Sequence, residues 1–107
     1  MITTNQLMRP ILETAAATAW RLRRRLHDLH PQTTFQVTTK RPRGVAELHV
    51  SWTGGPTAET IASVAEVFAR TVDGRQADAT LWADAHGNVA LIYPGAEHVR
   101  LRRRSRQ

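Results

Sequence analysis

Apolar residues recur at alternating steps of four and three through Met8, Leu12, Ala15, Ala19, Leu22, Leu26 and Leu29. That period predicts an amphipathic helix over residues 5–29. Thr4 is placed to cap it, and Pro10 fits only within its first turn or two. His30-Pro31 ends it, because the residue before proline avoids the α region. Trp20, Arg21, Arg24 and Arg25 fall on the polar face.

The period then changes to two. Phe35 and Val37 alternate with polar neighbours over residues 33–39. Over residues 45–53, Ala46, Leu48, Val50 and Trp52 take one face and Glu47, His49 and Ser51 the other. The two segments read as an antiparallel hairpin around Lys40-Arg41-Pro42-Arg43-Gly44. Gly54-Gly55-Pro56 breaks the second strand. A second helix follows, with Thr57 or Gly55 as its cap and Ile61, Val64, Ala65 and Phe68 on its buried stripe. It is expected to end near Arg70, with a loop from Val72 through Asp78. Residues 79–83 and 88–93 read as strands joined by a turn over 84–88, and residues 97–103 as an additional short strand.

The pattern predicts an α+β two-layer sandwich in the order α-β-β-α-β-β. A mostly antiparallel sheet of four to five strands packs two helices on one face. The expected core is Leu22, Leu26, Phe35, Val37, Leu48, Val50, Trp52, Ile61, Val64, Phe68, Leu91 and Val99. Residues 1–107 read as a single domain, with residues 104–107 a frayed basic tail.

Composition narrows the function classes. The chain has no cysteine, which excludes disulfides and thiolate zinc sites and suits a cytoplasmic location. No apolar run approaches the roughly 20 residues of a membrane span, and the N-terminus lacks the pattern of a secretory signal. The net charge of +6 is unevenly spread: +6 over residues 1–43, −5 over 44–97 and +5 over 98–107. Cationic ends around an anionic middle suit a polyanion partner if the fold brings the ends together.

Three basic clusters are candidate nucleic-acid contacts. Arg21, Arg24 and Arg25 on the first helix lie beside Trp20, which offers a face for a base to stack on. The competing reading is a solvated helix face with Trp20 packed on arginine stems. Lys40, Arg41 and Arg43 form a basic hairpin tip, or simply a soluble turn. Arg100, Arg102 and Arg104 project from one face of the last strand, as a phosphate ladder or as charges protecting a sheet edge.

Other chemistry is poorly supported. His27 and His30 have a helical metal spacing, but the neighbouring arginines repel a cation, so no metal is expected. Gly54-Gly55-Pro56-Thr57 lacks the lysine of a phosphate loop and reads as a tight turn. No nucleophile–base order has supporting context, so the chain is expected to catalyse nothing, with no cofactor and no small-molecule substrate.

Several landmarks fall in the order of one family. They are the Leu29-His30-Pro31 helix exit, Phe35-Gln36-Val37, Val50-Ser51-Trp52-Thr53-Gly54-Gly55-Pro56-Thr57, Phe68 before Asp73-Gly74 and Asp78, and Gly95-Ala96-Glu97-His98-Val99. Over roughly residues 20–105 the chain resembles the large polyvalent protein-associated domain of type twenty-nine. The resemblance implies a phage, plasmid or other mobile-element context and carries over no functional residues. The expected role is thus a small accessory protein of a mobile genetic element that binds DNA or RNA mainly through phosphate contacts. The alternative is a protein–protein interaction module, docking to a host-defence factor or self-associating as a homodimer.

Overall fold

In a computed structural model of the chain, residues 11–77, 81–83 and 89–105 are described. The first helix, α1 (Ala15–Leu29), follows a two-residue strand, β1 (Ile11–Leu12). Thr14 caps α1, its hydroxyl accepting from the Ala17 N–H at 3.1 Å. The helix therefore starts ten residues later than its periodicity suggested. Leu12 belongs to a strand and is exposed, while Thr4, Met8 and Pro10 lie outside the described residues. Thr14 satisfies a free N–H at the helix start, which an apolar period cannot signal. His30 ends α1, as the proline after it requires.

β2 (Gln36–Lys40) and β3 (Glu47–Thr53) form the expected antiparallel hairpin, joined by a single 3-10 turn at Pro42–Gly44. α2 (Ala58–Ala65) is capped by Thr57, whose hydroxyl accepts from Thr60 N–H at 3.2 Å. It ends before Arg70, and Phe68 packs from the turn that follows. The segment read as a loop contains a tight hairpin, β4 (Thr71–Val72) and β5 (Arg75–Gln76). Asp73 and Gly74 both have positive φ, the conformation that a two-residue hairpin turn demands.

β6 (Leu81–Ala83) and β7 (Val89–Tyr93) pair antiparallel, but not within the main sheet. With β1 they form a separate three-stranded sheet, ordered β1-β7-β6. The intervening turn at residues 84–88 and the side chain of Leu91 lie outside the described residues.

β8 (His98–Arg104) decides the topology. The five-stranded sheet runs β2-β3-β8-β4-β5, with β8 parallel to both β3 and β4. The sheet is thus mixed rather than mostly antiparallel. A strand–helix–strand connection runs its strands in the same direction, and β3-α2-β4 is such a unit with β8 inserted into its gap. β8 extends through Arg104, whose carbonyl accepts from Gly54 N–H, so Arg104 is not part of a frayed tail.

Leu22 and Leu26 of α1 and Ile61 and Ala65 of α2 share one buried cluster with Leu48, Val50, Trp52 and Val99. Both helices therefore cover the same face of the five-stranded sheet. Trp52 donates its indole N–H to the Pro56 carbonyl at 2.8 Å, tying the end of β3 to the start of α2.

Candidate functional site

The register of the sheet sorts the basic residues. Side chains alternate along a strand, and partners across a ladder share a face. Leu48 faces Val99, Val50 faces Leu101 and Trp52 faces Arg103 on the helix-covered side. Glu47 faces His98, His49 faces Arg100, Ser51 faces Arg102 and Thr53 faces Arg104 on the other. Lys40 lies beside Glu47, and Thr38 and Gln36 continue that face on β2. None of the described helices covers this side. Lys40, Arg100, Arg102 and Arg104 are all exposed on it.

Alternate residues of a strand lie about 6.6–6.8 Å apart. The three guanidinium side chains of β8 thus rise from a regular column, flanked by His49, Ser51 and Thr53. Among the described ladder positions of this face, Glu47 is the one acid. Glu47 is buried and accepts from His49 Nε2 at 3.0 Å and from Arg100 at 3.4 and 3.5 Å. The hydrogen bond from Arg100, and then that from His49, hold its carboxyl below the usual carboxylate range. Arg100 is therefore partly neutralised, although its side chain remains 52% exposed. Arg102 and Arg104 have no carboxylate partner among the described residues. Lys40 stands at the opposite end of this face from Arg104, next to the turn that carries exposed Arg41 and Arg43.

The arginines of α1 belong to the other layer and divide among themselves. Arg21 donates from Nε and a terminal nitrogen to Glu13 and lies over the Phe68 ring, 4.9 Å from its centroid. With both of these donors on Glu13, it braces the fold. Glu13 also accepts from the Thr18 hydroxyl at 2.9 Å, and Thr18 accepts from Gly95 N–H at 2.7 Å. This network fixes the start of α1 to the approach to β8.

Arg24 stacks on Trp20, its guanidinium carbon 5.4 Å from the ring centroid. Trp20 is nonetheless 59% exposed. Both line an open groove of about 580 Å³ with Arg23, His27, Asp28, Pro31 and residues 33–35. Arg25 is exposed, but it projects about 100° around the helix from Arg24 and does not line this groove. The groove and the β8 column thus lie on opposite sides of the sheet. They approach each other where Thr33 and Thr34 also line a second depression with Gln36, Ser51 and Arg104. Among the described residues, Lys40 and the β8 column share one face of the sheet, whereas the α1 arginines lie in the helix layer.

Arg103 points to the helix side and donates to the Gly54 and Gly55 carbonyls, each at 3.2 Å. The Gly54-Gly55 entry to α2 is thus a turn clamped by a guanidinium. Both glycines have positive φ, and a Cβ on Gly55 would lie 2.7 Å from the Thr33 hydroxyl. His49, His98 and Glu47 were not singled out from sequence. Alternation had put Glu47 and His49 on the polar face, but only the parallel register of β8 brings His98 and Arg100 beside them.

No helix among the described residues is long and apolar enough to cross a membrane, and no group of three potential metal ligands occurs among them. No curated protein and no solved structure is significantly similar to the chain. The model of the large polyvalent protein associated domain 29 matches residues 13–105, from the Glu13 that anchors Arg21 to Ser105 just past β8, and the chain belongs to that family.

Proposed function

We propose that this domain binds nucleic acid through the uncovered face of its five-stranded sheet, as an accessory component of a mobile genetic element. The observation that carries the reading is the β8 column. Arg100, Arg102 and Arg104 face solvent at a strand repeat, with Lys40 on the same face. Guanidinium groups can each grip two phosphate oxygens, and Ser51 and Thr53 add hydroxyl donors beside them. The face carries no Phe, Tyr or Trp at its ladder positions, so the contacts are mainly to the backbone and discriminate sequence poorly. Arg41 and Arg43 extend the cationic surface at the Lys40 end.

Anisotropy of a labelled oligonucleotide, titrated at rising salt, tests this. The expected result is a linear fall of log affinity with log salt, similar for unrelated sequences. Affinity that is insensitive to salt contradicts it.

The exposed Trp20–Arg24 stack in its groove favours a second reading, in which the helix layer contacts a protein partner or a second copy. Sedimentation at low and high salt tests self-association. A monomer throughout contradicts it.

A further inference from the structure

The uncovered sheet face holds more than cations. Glu47 and His98 are ladder partners, as are His49 and Arg100, so the four occupy the corners of one square across β3 and β8. The two imidazoles stand on one diagonal and the Glu47–Arg100 ion pair on the other. Strand spacing and rise put the imidazole-bearing Cα atoms about 8 Å apart.

Each imidazole is held by one nitrogen. His49 Nε2 lies 3.0 Å from Glu47 Oε1, and His98 Nδ1 lies 2.5 Å from the Thr71 hydroxyl. No other hydrogen bond falls on either ring among the described residues. Glu47, kept ionised by Arg100, selects the tautomer of His49 with its proton on Nε2 and leaves Nδ1 to accept one. A hydrogen bond from His98 Nδ1–H to the Thr71 hydroxyl leaves Nε2 without a partner among the described residues, a lone pair in the neutral ring and a donor once the ring is protonated. The square thus presents a base in His49 and, in its imidazolium form, an acid in His98, on either side of a guanidinium and on the face that carries the phosphate-gripping column.

We infer that this square cleaves RNA by internal transesterification, an activity that rests on the phosphate-binding reading and goes beyond it. His49 Nδ1 takes the proton of a ribose 2′-hydroxyl while the 2′-oxygen bonds to the adjacent phosphorus. The bond from phosphorus to the 5′-oxygen breaks, and protonated His98 gives its Nε2 proton to that leaving oxygen. Arg100 faces the non-bridging oxygens, where negative charge builds up. The products are a 2′,3′-cyclic phosphate and a 5′-hydroxyl. His49 ends with one proton more and His98 with one fewer, and exchange with water restores both. Glu47 is a positioning residue, acting through His49. The reaction needs the 2′-hydroxyl, so DNA is bound but left intact.

The test incubates the purified chain with single-stranded RNA in EDTA and, separately, measures binding to the same strand carrying 2′-O-methyl groups. The expected result is cleavage of RNA to cyclic-phosphate ends, with DNA and methylated RNA intact. His49→Gln and His98→Gln are expected to lower the rate by at least about a hundredfold while still binding the methylated strand. A denaturation midpoint like that of the native chain shows that the variants fold. Glu47→Gln is expected to lower kcat with little change in KM.

Intact RNA beside retained binding of the methylated strand overturns the inference, as does cleavage unaltered in both histidine variants. Failure to bind the methylated strand counts instead against the phosphate-contact reading.

Discussion

Arg103 and Trp52 are partners on the ladder between β3 and β8, and both stand on the side covered by the helices. This pairing sets Arg103 apart from the other arginines of β8. Its guanidinium closes on the Gly54 and Gly55 carbonyls, while Trp52 reaches Pro56 from the same strand end. Arg103→Ala is expected to cost about 1–2 kcal/mol in chemical denaturation. It should leave the salt dependence of nucleic-acid binding unchanged, because the side chain is absent from the phosphate-facing column.

The Gly95–Thr18–Glu13–Arg21 network predicts a second stability effect. Thr18 is fully buried and both accepts and donates within it. Thr18→Val keeps the shape and removes both bonds, with an expected loss of about 1–3 kcal/mol by urea denaturation. Thr18→Ser keeps the hydroxyl and is expected to lose less.

Gly95 tests the same contact sterically. A Cβ there would collide with the Thr14 and Ala15 backbone and the Glu13 carbonyl, none of which is the end of a flexible side chain. Gly95→Ala is expected to destabilise by about 1–3 kcal/mol, read as a lower denaturation midpoint at unchanged slope.

Glu47 predicts a pH effect of definite sign. Its folded-state carboxyl is held below the usual range, chiefly by Arg100 and then by His49. Stability from this group is fully present above the unfolded value, about 4.3 for an unperturbed glutamate. It is lost as pH falls from there through the lower folded value. Denaturation profiles of the native chain and Glu47→Gln are expected to differ above about pH 5 and to converge as acid protonates Glu47.

The local elements were legible because their causes are local. Alternation from Ala46 to Trp52 marks β3 and its two faces, and His30-Pro31 marks the end of α1. Asp73-Gly74 carries the signal of a tight hairpin turn, but its flanking strands of two residues each are too short to show alternation. The position of β8 was not legible. Nothing in His98–Arg104 states that it enters the gap between β3 and β4, because that depends on the crossover of α2 between distant segments. The candidate site inherits this limit. The basic clusters could be counted in the chain, but alternation alone could not show Arg21 closing on Glu13 or His98 standing beside Glu47.

The most direct measurement compares salt titrations of two double variants on one labelled strand. Arg102→Ala with Arg104→Ala removes two exposed members of the β8 column, and Arg23→Ala with Arg24→Ala removes two exposed arginines of the α1 groove. If the sheet face grips phosphates, the first pair weakens binding at low salt. It also flattens the slope of log affinity against log salt by about 1.4–1.8, while the second pair leaves that slope near the native one. An unchanged slope in the β8 variant, or a flattened slope only in the α1 variant, contradicts the assignment of the sheet face.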